Sequence, residues 1–320
     1  MKRRDFLRRL GLGLAGAWAM GQVSWPLPVL AADPPGPQLR LAFLADAHLP
    51  DGDERRPEAR ALARAVTELR ALAAAPDLVL FAGDLAQHGD PAALALGKEI
   101  LADLPAPLLM VMGEGDGLPD GAAAWRRLFG DPWFSQVLQK TATGERKTVL
   151  QILGLHTAWC PGPGGLLFRV GESGRDWLAR ELGRLDPEVP LIILSHPPLD
   201  PVYRPWSQWT VDGPEVLAQL SRFRRVLCLH GHTHNAVTSC QLPVAGKVNG
   251  LGEFSFTANA KRQTPKWLHL SLPATAWPGP LAVQGTPARL GPGLGPNGCG
   301  WVLLVAGAAS LQFQPQIWQA

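Results

Sequence analysis

Five short runs of almost unbroken apolar residues, Leu39–Ala45, Leu78–Ala82, Leu108–Met112, Leu191–Leu194 and Val226–His230, each lead directly into an acid or a histidine. A strand with one wet face alternates apolar and polar residues, so runs without alternation predict strands covered on both faces. Between them lie segments of helical length. An alanine-rich one covers Pro57–Ala75, another Pro91–Leu104, and a third, Ser173–Leu185, sets Trp177, Leu178 and Leu182 on one face. A further strand is expected at Thr148–Leu153. The β-α-β-α-β order predicts an α/β fold.

The chain has 320 residues, 46% of them hydrophobic and 18% charged, which suits one large domain or two small ones, and neither repeat nor linker divides it. The formal charge of +3 includes Lys2, Arg3, Arg4, Arg8 and Arg9. The remainder is close to neutral and carries no basic stripe, which argues against nucleic acid as a partner. That basic end, Lys2-Arg3-Arg4-Asp5-Phe6-Leu7-Arg8, precedes a Gly/Ala-rich apolar run from Leu10 to Met20 and the small residues Ala31-Ala32. It resembles a twin-arginine export signal and is too short to cross a bilayer comfortably. Residues 1–32 are therefore expected to be a signal peptide read by the twin-arginine machinery, leaving residues 33–320 as a periplasmic protein of a bacterium, with no stable membrane span. Candidate strands at Trp267–Leu270 and Trp301–Val305 belong to a Gly/Pro-rich tail. Residues 271–320 are expected to pack on the domain as a C-terminal extension. Cys160, Cys228, Cys240 and Cys299 form no CxxC pair, and neither a disulfide nor a cysteine metal site is assigned.

The chemistry sits at the strand ends. Asp46 and His48 follow the first run, Gly83-Asp84 the second, Gly113-Glu114-Gly115-Asp116 the third, Ser195-His196 the fourth and Gly231-His232-Thr233-His234 the fifth. In parallel α/β sheets the carboxyl ends of strands gather at one edge, where ligands bind. Two Asp, one Glu and four His at such an edge have the composition of a site for two divalent metal ions, since imidazole and carboxylate together suit Zn, Mn and Fe. His88, four residues after Asp84, either lines the cleft or is a loop histidine. Asp116 reads as an acid supporting the ligands or capping a helix, and His230 as one that could orient a ligand. His156 and His269 read as structural. Trp206 and Trp209 fit a cleft wall or the core equally well.

Taken in order, D-x-H, G-D, a G-N-H-D/E position, a lone His and G-H-x-H, these residues resemble the signature of calcineurin-like metallophosphoesterases from Leu39 to about Ser239. The resemblance implies a four-layer αββα sandwich of two mixed β-sheets flanked by helices. It implies that Asp46, His48 and His234 hold one metal, His196 and His232 the other, and that Asp84 bridges. Glu114 stands where the family has Asn and could serve as an oxygen ligand. The reaction implied is metal-dependent hydrolysis of a small phosphomonoester or phosphodiester. Two departures matter. Gly115 occupies the position of the family's catalytic histidine, so substrates with good leaving groups are expected, with water or His88 as a weak substitute donor. A side chain at 115 is expected to face the leaving group, so that Gly115→His would restore a donor. Gln87 stands where purple acid phosphatases place a tyrosinate, which argues against an iron-tyrosinate centre. The alternative is a periplasmic metal-binding or scaffold protein with a degenerate, weakly active site.

Overall fold

The computed structural model describes residues 38–117, 122–142, 144–162, 165–200, 209–234, 238–239, 253–255, 267–276, 298–306 and 310–319. By internal contacts the chain separates into Met1–Pro34, which lies outside the described residues together with the expected signal, and Pro35–Ala320. In the latter the strands run β1 (Leu39–Leu44), β2 (Leu78–Phe81), β3 (Leu108–Met110), β4 (Phe134–Ala142), β5 (Glu145–Leu155), β6 (Ala158–Gly162) and β7 (Gly165–Arg169). They continue with β8 (Leu191–Ser195), β9 (Val226–His230), β10 (Thr238–Ser239), β11 (Glu253–Ser255), β12 (Trp267–Ser271), β13 (Gly298–Ala306) and β14 (Ser310–Gln319). The helices are α1 (Pro57–Arg70), α2 (Pro91–Leu101), α3 (Glu114–Gly117), α4 (Ala123–Phe129), α5 (Gly171–Arg184) and α6 (Gly213–Gln219).

Two six-stranded sheets result, ordered β11-β14-β13-β1-β2-β3 and β10-β12-β9-β8-β5-β4, with β6-β7 as a separate two-stranded ribbon. Both are mixed. β1, β2 and β3 are parallel while β13 runs antiparallel to β1. In the second sheet β5, β8, β9 and β12 are parallel and β4 is antiparallel to β5.

The unbroken apolar runs now have a physical reason. Successive strand residues point to opposite faces, and here each face meets a layer. Leu41, Phe43 and Leu80 of the first sheet share an inner core with Ile152, Ile192, Leu194 and Leu229 of the second. Ala42, Leu44, Val79 and Phe81 face outward onto Leu62, Leu69, Leu94 and Trp125 of the helices. On the far side Leu153, Leu191, Ile193 and Cys228 pack on Leu178 and Leu182 of α5 and Val216 of α6. The layers are therefore helix, sheet, sheet, helix, the sandwich implied by the motif order. α2 is started by Asp90, whose carboxylate accepts from Ala92 N at 2.6 Å.

The strands expected at Trp267–Leu270 and Trp301–Val305 are β12 and β13. β13 pairs directly with β1 and β12 with β9, so the described parts of the tail supply strands to both sheets. Leu272 N donates to His230 O and Thr275 N to Ala45 O, both at 2.8 Å, which threads this segment between the ends of β9 and β1. No helix of the described residues is long and apolar enough to cross a membrane.

Candidate metal centre

The loops after β1 and β2 run side by side. Asp46 N donates to Gly83 O and His48 N to Asp84 O, each at 2.9 Å, extending the parallel ladder past the strands. His232 N, from the other sheet, donates to both oxygens of Asp46 at 3.0 and 3.1 Å. To make these turns Asp46, His48, Asp84, His232 and His234 adopt positive φ of 49 to 64°. A non-glycine residue pays about 1 kcal/mol or more for that region. Five of the seven expected ligands thus sit on strained backbone, whereas Asp116 and the core strands do not. Gly83 is needed for a related reason: its φ is +87°, and a Cβ there would come within 2.6 Å of His196 Nδ1.

All seven expected ligands come together, in two groups. Asp46, His48 and His234 form one, and Asp84, Glu114, His196 and His232 the other, with donor atoms in each group lying within 4.8 Å of one another. His48 Nε2 faces His234 Nε2 at 2.9 Å. Glu114 forks across the second group, Oε2 at 2.7 Å from His196 Nε2 and Oε1 at 2.8 Å from His232 Nδ1. Asp84 stands between, its Oδ2 at 3.3 Å from His196 Nε2 and 3.8 Å from His48 Nε2. Its other oxygen, Oδ1, accepts from Gly115 N at 2.8 Å, which fixes the carboxylate plane.

The donor chemistry fits cations. His196 Nδ1 lies 2.7 Å from Ala82 O, and a carbonyl can only accept, so this nitrogen carries the proton. In the neutral ring the Nε2 lone pair would face Glu114 Oε2 at 2.7 Å, and such a buried pair of acceptors is costly unless a proton or a metal cation lies with them. Burial pulls His196 down, but the Asp84 and Glu114 carboxylates overcome it and raise the imidazole well above its usual range. Burial likewise raises Glu114, and His232 and His196 reverse it and hold its carboxyl well below the ordinary value. This field calls for positive charge, and a divalent ion satisfies it while leaving the imidazoles neutral.

Chelation is accordingly expected to lower Tm. Ions at about a thousandfold over Kd add about 4 kcal/mol to folding, roughly 10 °C or more in a domain of this size. A melting curve with and without chelator checks it, and coincident curves would exclude metal binding by these groups.

Other expected residues fall as follows. Asp116 is buried and accepts from Asp84 N and Gly113 N at 2.9 Å and Ala86 N at 2.8 Å, so it ties the loop after β3 to the loop after β2 and positions Asp84. Burial, then the neighbouring Asp84 charge, push its carboxyl up to about 8. His88 is exposed on the loop after β2 and belongs to neither group. His230 bonds the Gly231 carbonyl with Nδ1 at 3.0 Å, and burial pushes it down to about 3. His156 packs edge-on against Trp133, its centroid 5.9 Å away. Trp209 is half-buried, while Trp206, Tyr203 and Cys240 lie outside the described residues. Cys160, Cys228 and Cys299 are free thiols, and burial raises Cys228 to about 12.

Gly115 is crowded: a Cβ there would lie 2.5 Å from the Ala86 carbonyl oxygen, 3.1 Å from Asp84 Oδ1 and 3.2 Å from the Gln87 carbonyl oxygen, so any side chain at this position requires the loop after β2 to move. Residues that the strand-end pattern did not single out also shape the site. Phe168 on β7 lies edge-on to His232 with centroids 4.9 Å apart. Asp212 accepts from Val170 N and Gly171 N at 2.9 Å, anchoring the ribbon's return. A Pro/Gly cluster at 161–165 between two apolar segments was the available sign of that ribbon.

A two-sheet sandwich with two groups of carboxylate and imidazole donors at its strand ends is the architecture of a phosphoesterase, and the two groups fit a dinuclear divalent metal centre. The chain belongs to the calcineurin-like phosphoesterase family, whose pattern matches residues 39–236. It is 29% identical over 226 residues to a cAMP/cGMP dual specificity phosphodiesterase of Mycobacterium tuberculosis, spanning 67% of this chain and 68% of that protein. A probable cyclic nucleotide phosphodiesterase of Synechococcus is 30% identical over 209 residues, 62% of this chain and 74% of the relative. Among solved structures, a dimetal phosphatase from Danio rerio superposes with TM-score 0.52 at 14% identity, covering 88% of this chain and 96% of that one, a likeness of fold.

Proposed function

We propose that this protein is a metal-dependent phosphodiesterase in which Asp46, His48 and His234 hold one ion, Glu114, His196 and His232 the other, and Asp84 both. The observation that carries the reading is the position of Asp84 Oδ2, within 3.8 Å of a nitrogen from each group. Divalent ions bound there supply Lewis-acid polarisation of phosphoryl oxygens. The chain's own contribution is orientation and charge. Ala82 O fixes the His196 tautomer, Gly115 N fixes the Asp84 plane, and the Asp46 carboxylate is fixed by His232 N. With two divalent ions, the carboxylates of Asp46, Asp84 and Glu114 leave a net charge of about +1, where an Asn at 114 would leave about +2. That balance suits a monoanionic diester better than a dianionic monoester. The cyclic nucleotide phosphodiesterase activities of the two bacterial relatives support the same substrate class. Gly115 offers no proton donor, so leaving groups that depart as stable anions are favoured.

The test is hydrolysis of bis-p-nitrophenyl phosphate and p-nitrophenyl phosphate by protein reloaded with Mn, Zn or Fe, with the diester expected to have the higher kcat/KM. Two bound ions with neither ester hydrolysed would favour the second reading, a metal-binding or scaffold protein, to which the lack of a donor at Gly115 also points. Export by the twin-arginine route to the periplasm is part of the proposal, resting on Arg3-Arg4-Asp5-Phe6-Leu7. Arg3→Lys with Arg4→Lys is expected to leave the precursor in the cytoplasmic fraction, and normal export of that variant would refute the assignment.

A further inference from the structure

The ribbon of β6 and β7 stands apart from both sheets, yet one of its faces reaches the metal centre. Trp159 and Phe168 are direct cross-strand partners in it. Directly opposed residues project from the same face of a ribbon. Phe168 is buried and meets His232 edge-on at 4.9 Å, and His232 meets His196 at 5.1 Å. Trp159 meets Phe168 edge-on at 6.0 Å and is 39% exposed. A continuous row of rings thus leads from the second group of metal donors out to an indole that solvent can reach. Such exposure is unusual here. Among the described residues, Trp159 and Val137 are the exposed large hydrophobic side chains.

The face is held in place. Asp212 accepts from Val170 N and Gly171 N at 2.9 Å and pairs with Arg175, while Val211 N donates to Phe168 O at 2.9 Å. These bonds fix the backbone on both sides of Phe168 and so set the ribbon against His232. Trp159 is tied to this fixed strand by its pairing with Phe168, and an indole, with only two side-chain torsions, loses little entropy when it stacks.

We propose that Trp159 is a specificity-determining residue that stacks on a planar aromatic group of the substrate while Phe168 holds the row against His232. The inference rests on the phosphodiesterase reading and deepens it by naming the kind of substituent the diester carries. A nucleobase and an aryl ester offer the same π-face, and a ring-free diester offers none.

The experiment compares wild type, Trp159→Ala and Trp159→Phe, each loaded with Mn, on three diesters: a 3′,5′-cyclic nucleotide, bis-p-nitrophenyl phosphate and glycerophosphoethanolamine. Stacking on an aromatic side chain suggests about a tenfold fall in the kcat/KM ratio of ringed over ring-free substrate in Trp159→Ala, carried by KM, with most of it restored in Trp159→Phe. A fall in the nucleotide arm alone assigns the platform to a base, and one in the aryl arm alone to an aryl ester. Equal losses on all three, or none, would overturn the proposal. Calorimetric binding of a nucleoside monophosphate against inorganic phosphate reads the same contact without turnover. Trp159→Ala should weaken the former about tenfold relative to the latter, and an unchanged ratio would overturn the proposal even if the wild type hydrolyses nothing. Failure of hydrolysis with stacking intact would instead count against the phosphodiesterase reading alone.

Discussion

Asp84→Ala is expected to leave fewer than about one metal ion per chain and to cut diester hydrolysis by about 10³-fold or more, about 4 kcal/mol of lost transition-state stabilisation. The reason is position. Oδ2 of Asp84 lies 3.3 Å from His196 Nε2 in one donor group and 3.8 Å from His48 Nε2 in the other, so its removal takes a ligand and a compensating charge from each ion at once. Loss of fold would be a poor explanation for the result. Asp116 still accepts from Ala86 N and Gly113 N when the Asp84 side chain is removed, so the loops after β2 and β3 remain tied together. Metal analysis and a melt in chelator are the two measurements. Retention of two ions would exclude the bridging role.

Gly115→His is expected to damage the protein and to restore no proton donor. A Cβ at this position would meet the Ala86 carbonyl at 2.5 Å and Asp84 Oδ1 at 3.1 Å, so the loop after β2 must move and carry Asp84 with it. Forcing atoms into packed backbone costs about 1 to 3 kcal/mol, which is roughly 2 to 4 °C of Tm per kcal/mol in a domain of this size. Gly115→Ala separates sterics from chemistry. If crowding governs, alanine and histidine lower Tm and metal affinity alike, and neither speeds an ester with a poor leaving group. A Gly115→His protein that melts like wild type and hydrolyses alkyl esters faster than Gly115→Ala would show that residue 115 faces substrate after all.

The sequence made some elements legible and hid others for a physical reason. β1, β2, β8 and β9 were readable because both their faces are covered, which demands unbroken apolar runs. β14, in contrast, lies toward the edge of its sheet between β13 and the short β11, and its Leu311-Gln312-Phe313-Gln314 pattern alternates. A search for continuous runs passes over such a strand. β4, at the end of the other sheet, lacks a continuous run for the same reason, its Gln136, Gln139 and Lys140 interrupting the apolar residues.

The donor set was legible because each ligand directly follows a strand, and strand ends converge by topology whatever the loops do. Sequence alone therefore determined the α/β class, the shared edge and the identities of Asp46, His48, Asp84, Glu114, His196, His232 and His234 as candidates, while the layer order was implied by the family resemblance of those motifs. Tertiary structure decided the rest, because it depends on groups far apart in the chain. The positive φ of five candidates is held by hydrogen bonds such as His232 N to Asp46 across 186 residues. That Asp116 positions Asp84 is set by three backbone amides, two of them in another loop. The direction in which residue 115 points, and the row of rings from His232 to Trp159, follow from how one loop meets its neighbour. A motif specifies which atoms are present, while steric exclusion between loops determines where a side chain has room to go.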